Sequence, residues 1–160
     1  MKLEAAEKYA TRVIEAISSL CDQTLIVGSI RRRRPEVNDI DIVVIPGAWY
    51  WNSIPSYLKQ SLGLRFIEGG LDLCRMMFPI ELQVDIYRAS PKTWGVLSLI
   101  RTGSTQHNIK LCSWAKSMGL MLSAKDGVLK DGQVIASRTE EDIFKALCLD
   151  YVPPELREER

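Results

Sequence analysis

Histidine occurs once in this chain, at His107. That excludes a His-rich metallophosphatase centre, which needs several imidazoles around its ions. Cysteine is also scarce. Cys21, Cys74, Cys112 and Cys148 are far apart, and no pair has the C-x-x-C spacing of a zinc or redox site. They read as small buried apolar residues, reduced, in a cytoplasmic setting. No apolar run approaches the roughly 18 residues of a membrane-crossing helix. Met1 to Lys8 are too polar for a signal-peptide core, so no membrane partner is expected. An excess of charge is lacking too: 21 Lys and Arg stand against 20 Asp and Glu, a net charge of +1. General nucleic-acid binders carry a marked basic surplus. Any grip on nucleic acid here should be short and local, or supplied partly by metal and nucleotide. The 160 residues suffice for one domain or two small subdomains.

The local basic surplus, Arg31 to Arg34, lies inside the most informative stretch of the chain. Gly28-Ser29 ends the apolar run Thr24-Leu25-Ile26-Val27 and should turn the backbone tightly. After the arginines, Asp39 and Asp41 flank Ile40 at the start of a second apolar run that reaches Ile45. On a strand, residues two apart share a side, so the two carboxylates project together while Ile40, Ile42 and Val44 point the other way. Paired carboxylates repel unless a cation lies between them, and oxygen ligands near phosphates suit Mg²⁺. A bare Asp-x-Asp is as compatible with surface acid. The turn, the arginines and the β pattern together point to phosphoryl transfer. Ile80 to Tyr87 alternates strictly, which predicts a strand with Ile80, Leu82, Val84 and Ile86 buried and Asp85 on the opposite face. Alone, Asp85 reads as one polar residue on a half-exposed strand. Beside the Asp39–Asp41 strand it completes a trio able to hold two ions about 3.5–4 Å apart.

Elsewhere, Leu3, Ala6, Ala10, Val13, Ile17 and Leu20 recur at helical spacing. Trp49, Tyr50 and Trp51 follow Pro46-Gly47 and read either as hydrophobic cover for a sheet edge or as a base-stacking platform. Ser53 is placed to cap a short helix bearing Ile54, Leu58 and Leu62, and Gly69-Gly70 to turn a hairpin. Pro91-Lys92 marks a boundary. Beyond it, a short helix from Trp94 breaks at Thr102-Gly103-Ser104 and a longer one runs from about 105 to 118. Three short strands come next, then a last helix opened by Thr139-Glu140-Glu141-Asp142 and ended by Pro153-Pro154. The charged tail from Glu155 to Arg160 is expected to be exposed. His107 reads as support for the Thr-Gly-Ser turn rather than as a chemical group. The fold class is α+β: a mixed β-sheet backed by helices over residues 1–92, and a small α+β subdomain over 93–160.

The motifs Gly28-Ser29-Ile30-Arg31-Arg32…Asp39-Ile40-Asp41, Val84-Asp85-Ile86, Thr102-Gly103-Ser104…His107-Asn108 and Tyr151-Val152-Pro153-Pro154-Glu155-Leu156-Arg157-Glu158 resemble, in order, those of family X DNA polymerases, within the nucleotidyltransferase superfamily. The last two segments resemble the bacterial and archaeal branch. The resemblance implies a catalytic nucleotidyltransferase palm (1–92) and a thumb-like subdomain that closes on the incoming nucleotide (93–160). It implies that Asp39 and Asp41 bind both divalent cations, Mg²⁺ with Mn²⁺ as a substitute. Asp85 would bind the catalytic ion and help activate a primer 3′-hydroxyl. Ser29 and Arg32 would hold the triphosphate, with Gly28 letting the backbone approach it. Gly103 would lie beneath the sugar and Asn108 would reach the minor-groove edge of the base. Arg33 and Arg34 are open between solvated surface and contacts to DNA phosphates.

Three departures accompany the resemblance. It begins at the palm helix, without the lyase and fingers region or the phosphoesterase domain usual in the family. Ile100-Arg101 replaces an aromatic pair before Thr-Gly-Ser. Gln83 stands where an arginine often precedes the third aspartate. The expected function is a minimal DNA-directed, polymerase-like nucleotidyltransferase in DNA repair. It would be a monomer, adding nucleotides from triphosphates to the 3′-hydroxyl of a primer or primer–template with release of pyrophosphate. A protein partner would replace the missing DNA-gripping domain. Two alternatives stay open: the same chemistry on an RNA, protein or small-molecule acceptor, and a non-catalytic nucleic-acid-binding module.

Overall fold

The apolar stripe of the first twenty residues forms helix α1 (Leu3–Ile17), with Ala6, Ala10, Val13 and Ile17 fully buried. The computed structural model describes residues 1–158 and divides into two compact units, Met1–Ala89 and a second that begins at Ser90, just ahead of Pro91-Lys92. No helix among the described residues is long and apolar enough to cross a membrane.

The first unit is built on strands β1 (Cys21–Ile26), β2 (Asp39–Pro46), β3 (Arg65–Gly69), β4 (Leu73–Met77) and β5 (Gln83–Arg88), in the order β1-β2-β5-β4-β3. β2 and β5 run parallel and every other neighbour is antiparallel, so the sheet is mixed. Period-two alternation sorts its faces. Ile40, Ile42, Val44, Cys74, Met76, Val84 and Ile86 share one core with α1 and with Ile54 and Leu58 of helix α3 (Ile54–Leu62). Asp39, Asp41, Arg75, Gln83, Asp85 and Tyr87 alternate with them and take the other face.

Four expectations need correction here. The strand that carries the third aspartate starts at Gln83, not at Ile80, which is 52% exposed. Residues 79–82 instead turn between β4 and β5: Glu81 adopts φ 60° and Phe78 N–H donates to the Leu82 carbonyl at 2.9 Å. The Trp-Tyr-Trp cluster splits. Trp51 is buried, donating Nε1–H to the Gly70 carbonyl at 2.9 Å, whereas Trp49 is 95% exposed. Ser53 precedes α3 without making a side-chain cap. Of the cysteines, only Cys74 is buried; Cys21 is half-buried, and Cys112 and Cys148 are exposed. Burial raises the thiols of Cys21 and Cys74 to about 11.

In the second unit, helices α4 (Trp94–Thr102), α5 (Thr105–Ser117) and α6 (Glu140–Ala146) accompany a three-stranded antiparallel sheet of β6 (Met121–Ser123), β7 (Gly127–Lys130) and β8 (Gln133–Ala136). Val96, Leu99, Leu111, Ala115, Val128, Ile143, Phe144 and Leu147 form its core. Ser104 and Thr139 cap α5 and α6, accepting from the N–H groups of His107 and Asp142. The tail is not uniformly exposed. Arg157 is fully buried, forked onto Glu140 at 3.0 and 3.3 Å and stacked against Phe144 and Tyr151. Glu159 and Arg160 lie outside the described residues.

Candidate active site

β2 and β5 bring the second and third aspartates together. Asp41 is the register partner of Asp85, and Asp39 that of Gln83. The hydroxyl of Tyr87 lies 3.3 Å from Asp41 Oδ1 and 3.4 Å from Asp85 Oδ2, so it bridges the two carboxylates. Asp85 is only 3% exposed, more buried than its strand pattern suggested.

The reason is Arg75. Its guanidinium forks onto Asp85, with Nε to Oδ1 at 2.7 Å and Nη2 to Oδ2 at 2.8 Å. Its Nη1 reaches Glu68 Oε1 at 2.5 Å. The hydrogen bond to Asp85 holds the guanidinium proton more tightly than usual, although desolvation opposes this. Gln83 Nε2 lies 3.2 Å from both Asp85 oxygens. Strand register explains the convergence: Asp41 pairs with Asp85, Asp85 with Arg75, and Arg75 with Glu68. One row therefore crosses β2, β5, β4 and β3. Sequence reasoning missed Arg75. Its only signal was a lone charge in the apolar run Leu73 to Phe78.

Next to Asp41 stands the Gly28-Ser29 turn. Val27 N–H donates to the Asp41 carbonyl at 2.8 Å, and Gly28 opens a one-turn helix, α2 (Gly28–Arg31), at φ 63°. A β-carbon on Gly28 would lie 2.2 Å from Asp41 Oδ2. Only glycine fits both the backbone angle and the approach of the acid. Ser29 Oγ is buried without a hydrogen-bond partner. Arg32 is half-buried, its N–H closing onto the Gly28 carbonyl at 3.2 Å. Arg33 turns back, at φ 61°, to pair with Glu7 at 2.6 Å, and the exposed Arg34 donates its backbone N–H to the Ser29 carbonyl.

Gly103 and Asn108 belong to the second unit. Gly103 has φ 72° and a cis peptide to Ser104. Asn108 Nδ2 donates to the Ile100 carbonyl at 2.9 Å, while its Oδ1 is buried without a partner. The His107 ring makes no bond to the turn; its backbone N–H does, and its Nδ1 is buried without a partner.

No three His, Cys, Asp or Glu side chains among the described residues form a ready-made metal cage. Mg²⁺ rarely uses one: it is held through one or two carboxylates plus substrate phosphates. The facing pair Asp41 and Asp85, Asp39 on the same sheet face, and the unpartnered Ser29 hydroxyl beside them fit that kind of site.

The fold is that of polymerase beta. The ternary P/T complex and the ternary gap complex of Leishmania infantum polymerase beta each match at a TM-score of 0.85, with 20% and 19% sequence identity. Both cover 99% of this chain, and the chain covers 77% and 71% of theirs. Residues 98–158 match the family model of the DNA polymerase beta thumb. The chain is also 26% identical, over 94% of its length, to the DNA polymerase/3′-5′ exonuclease PolX of Bacillus subtilis (strain 168), and spans 28% of that protein. Together these matches liken the chain to family X DNA polymerases.

Proposed function

We propose that this protein is a divalent-metal-dependent nucleotidyltransferase that extends a DNA primer 3′-hydroxyl from nucleoside triphosphates, releasing pyrophosphate, in DNA repair. The observation that carries the reading is the facing of Asp41 and Asp85 across parallel strands, on the sheet face away from the helices, beside a glycine turn. In this reading Asp39, Asp41 and Asp85 hold the cations. Divalent ions, when bound, neutralise charge on the triphosphate and at the attacking oxygen. The chain's own part is placement. Ser29 offers its hydroxyl, and Arg32 its fixed charge, to the triphosphate. Asp85 lies at the carboxylate pair where a primer hydroxyl would be oriented. Gly103 and Asn108 serve the sugar and base edge of the nucleotide. Arg33 and Arg34 both stay candidates for DNA-phosphate contacts, and Arg33 would have to give up its pairing with Glu7 to make one.

The test is extension of single-stranded, recessed and one-nucleotide-gapped DNA with each dNTP or NTP, in Mg²⁺ and in Mn²⁺. Templated addition to a DNA 3′ end supports the reading. Activity confined to an RNA, protein or small-molecule acceptor would reassign the acceptor, and a folded protein that transfers nothing would contradict the reading.

A further inference from the structure

We infer that Arg75 is a positioning residue for Asp85, itself steadied by Glu68, so that a row of side chains across four strands sets the direction of the third carboxylate. The inference rests on the nucleotidyltransferase reading and adds a residue to it. An ionised carboxylate has about four acceptor positions, two on each oxygen. In Asp85 one on each oxygen is taken by the Arg75 fork, at 2.7 and 2.8 Å. Such paired, charge-assisted bonds fix the carboxylate plane as well as its place. The other contacts are longer and come from neutral donors: Gln83 at 3.2 Å to each oxygen and Tyr87 at 3.4 Å. An arriving cation can replace these weaker contacts and leave the fork intact. Arg75 thus holds Asp85 from the β4 side while the Asp41 side remains the face for ligation.

The register makes this specific. Arg75 is the cross-strand partner of Asp85 on one side and of Glu68 on the other. The β3 register shifts between Phe66 and Glu68, which brings Glu68 opposite Arg75. Glu68 then takes Nη1, leaving Nε and Nη2 for Asp85. Gln83 stands two residues before Asp85 and supplies only a neutral amide, so the guanidinium in this site comes from the neighbouring strand.

The test compares Arg75→Ala, Arg75→Lys and Gln83→Ala in the full chain, by single-turnover nucleotide insertion and by thermal unfolding without metal. Arg75→Ala should lower the insertion rate at least about tenfold while nucleotide KM changes less than about twofold, the signature of a misplaced reacting group. Arg75→Lys keeps the charge without the planar fork and should fall between the two. Gln83→Ala should stay within about threefold of wild type. Independently of activity, Arg75→Ala should lower Tm in the wild-type background and less so in an Asp85→Ala background, because the lost pair is counted once. If Arg75→Ala does not fold, Arg75→Lys carries the test. An active wild type whose folded Arg75→Ala or Arg75→Lys inserts at full rate would overturn this inference alone, as would additive Tm losses. A folded but inactive wild type would overturn the reading beneath it, and this role with it.

Discussion

Gly28 is where backbone and acid meet. Its φ of 63° is one that a side chain adopts at a cost of about 1–2 kcal/mol. An added methyl would also collide with Asp41 Oδ2, at 2.2 Å. Gly28→Ala should therefore destabilise the first unit by about 2 kcal/mol or more. It should also reduce nucleotide addition further than its loss of stability explains, which denaturant unfolding and insertion rates measured together will show. Wild-type insertion by Gly28→Ala would mean that Asp41 need not stay where it is seen. In the second unit, His107 is the chain's sole histidine, and its imidazole pKa is lowered from 6.5 to about 4. Burial is the main cause, followed by the Arg157 guanidinium, with Glu140 opposing. The unfolded chain takes up this proton below about pH 6.5, while the folded chain resists until about pH 4. The contribution to stability is thus complete above pH 6.5 and declines as pH falls towards 4. Because the ring is only half-buried, solvent screening reduces the effect to about 1 kcal/mol at pH 5. Urea unfolding at pH 7.5 and pH 5 should show that loss, and His107→Gln should largely remove it. An equal loss in His107→Gln would assign the pH dependence to other groups.

At the scale of elements, what was legible was what alternates locally. Asp39, Asp41 and Asp85 each follow from period two on their own strands, and α1 follows from its helical stripe. Cross-strand partnership was not legible, because it depends on register. Arg75 meets Asp85 and Glu68 only once the β3–β4 hairpin and its irregularity are set. The start of β5 was misplaced because Ile80 continues an apolar alternation that the turn at Glu81 interrupts. Arg157 was hidden for another reason: charge in a terminal segment reads as solvated surface, while its aromatic and acidic partners lie on α6 and in Tyr151. It donates Nε–H to the Val152 carbonyl and its carbonyl accepts from Ser104 N–H, tying the tail to the Gly103-Ser104 turn. Arg157→Ala removes the guanidinium fork from buried Glu140, though the Tyr151 hydroxyl still reaches it at 3.2 Å, and should cost about 3 kcal/mol. Urea denaturation read by tryptophan fluorescence will measure this. A loss below about 1 kcal/mol would indicate that water reaches Glu140 readily.

For the whole molecule, balanced charge limits what DNA binding can be. The net charge is +1, and one member of the arginine block, Arg33, is already paired with Glu7. Without nucleotide, binding to duplex DNA should be weak, and it should fall with salt at a log–log slope of about −0.9 for each phosphate neutralised. Fluorescence anisotropy across a salt series will show it; tight, salt-insensitive binding to plain duplex would contradict an electrostatic grip. The central claim is that Asp85, facing Asp41 across β2 and β5, takes part in nucleotidyl transfer. The direct measurement is extension of a recessed DNA primer in Mg²⁺ by the wild type and by Asp85→Ala, each first shown to be folded by circular dichroism. The account predicts addition by the wild type and a loss of at least about a hundredfold in Asp85→Ala. Undiminished extension by folded Asp85→Ala, or none by the folded wild type, would contradict it.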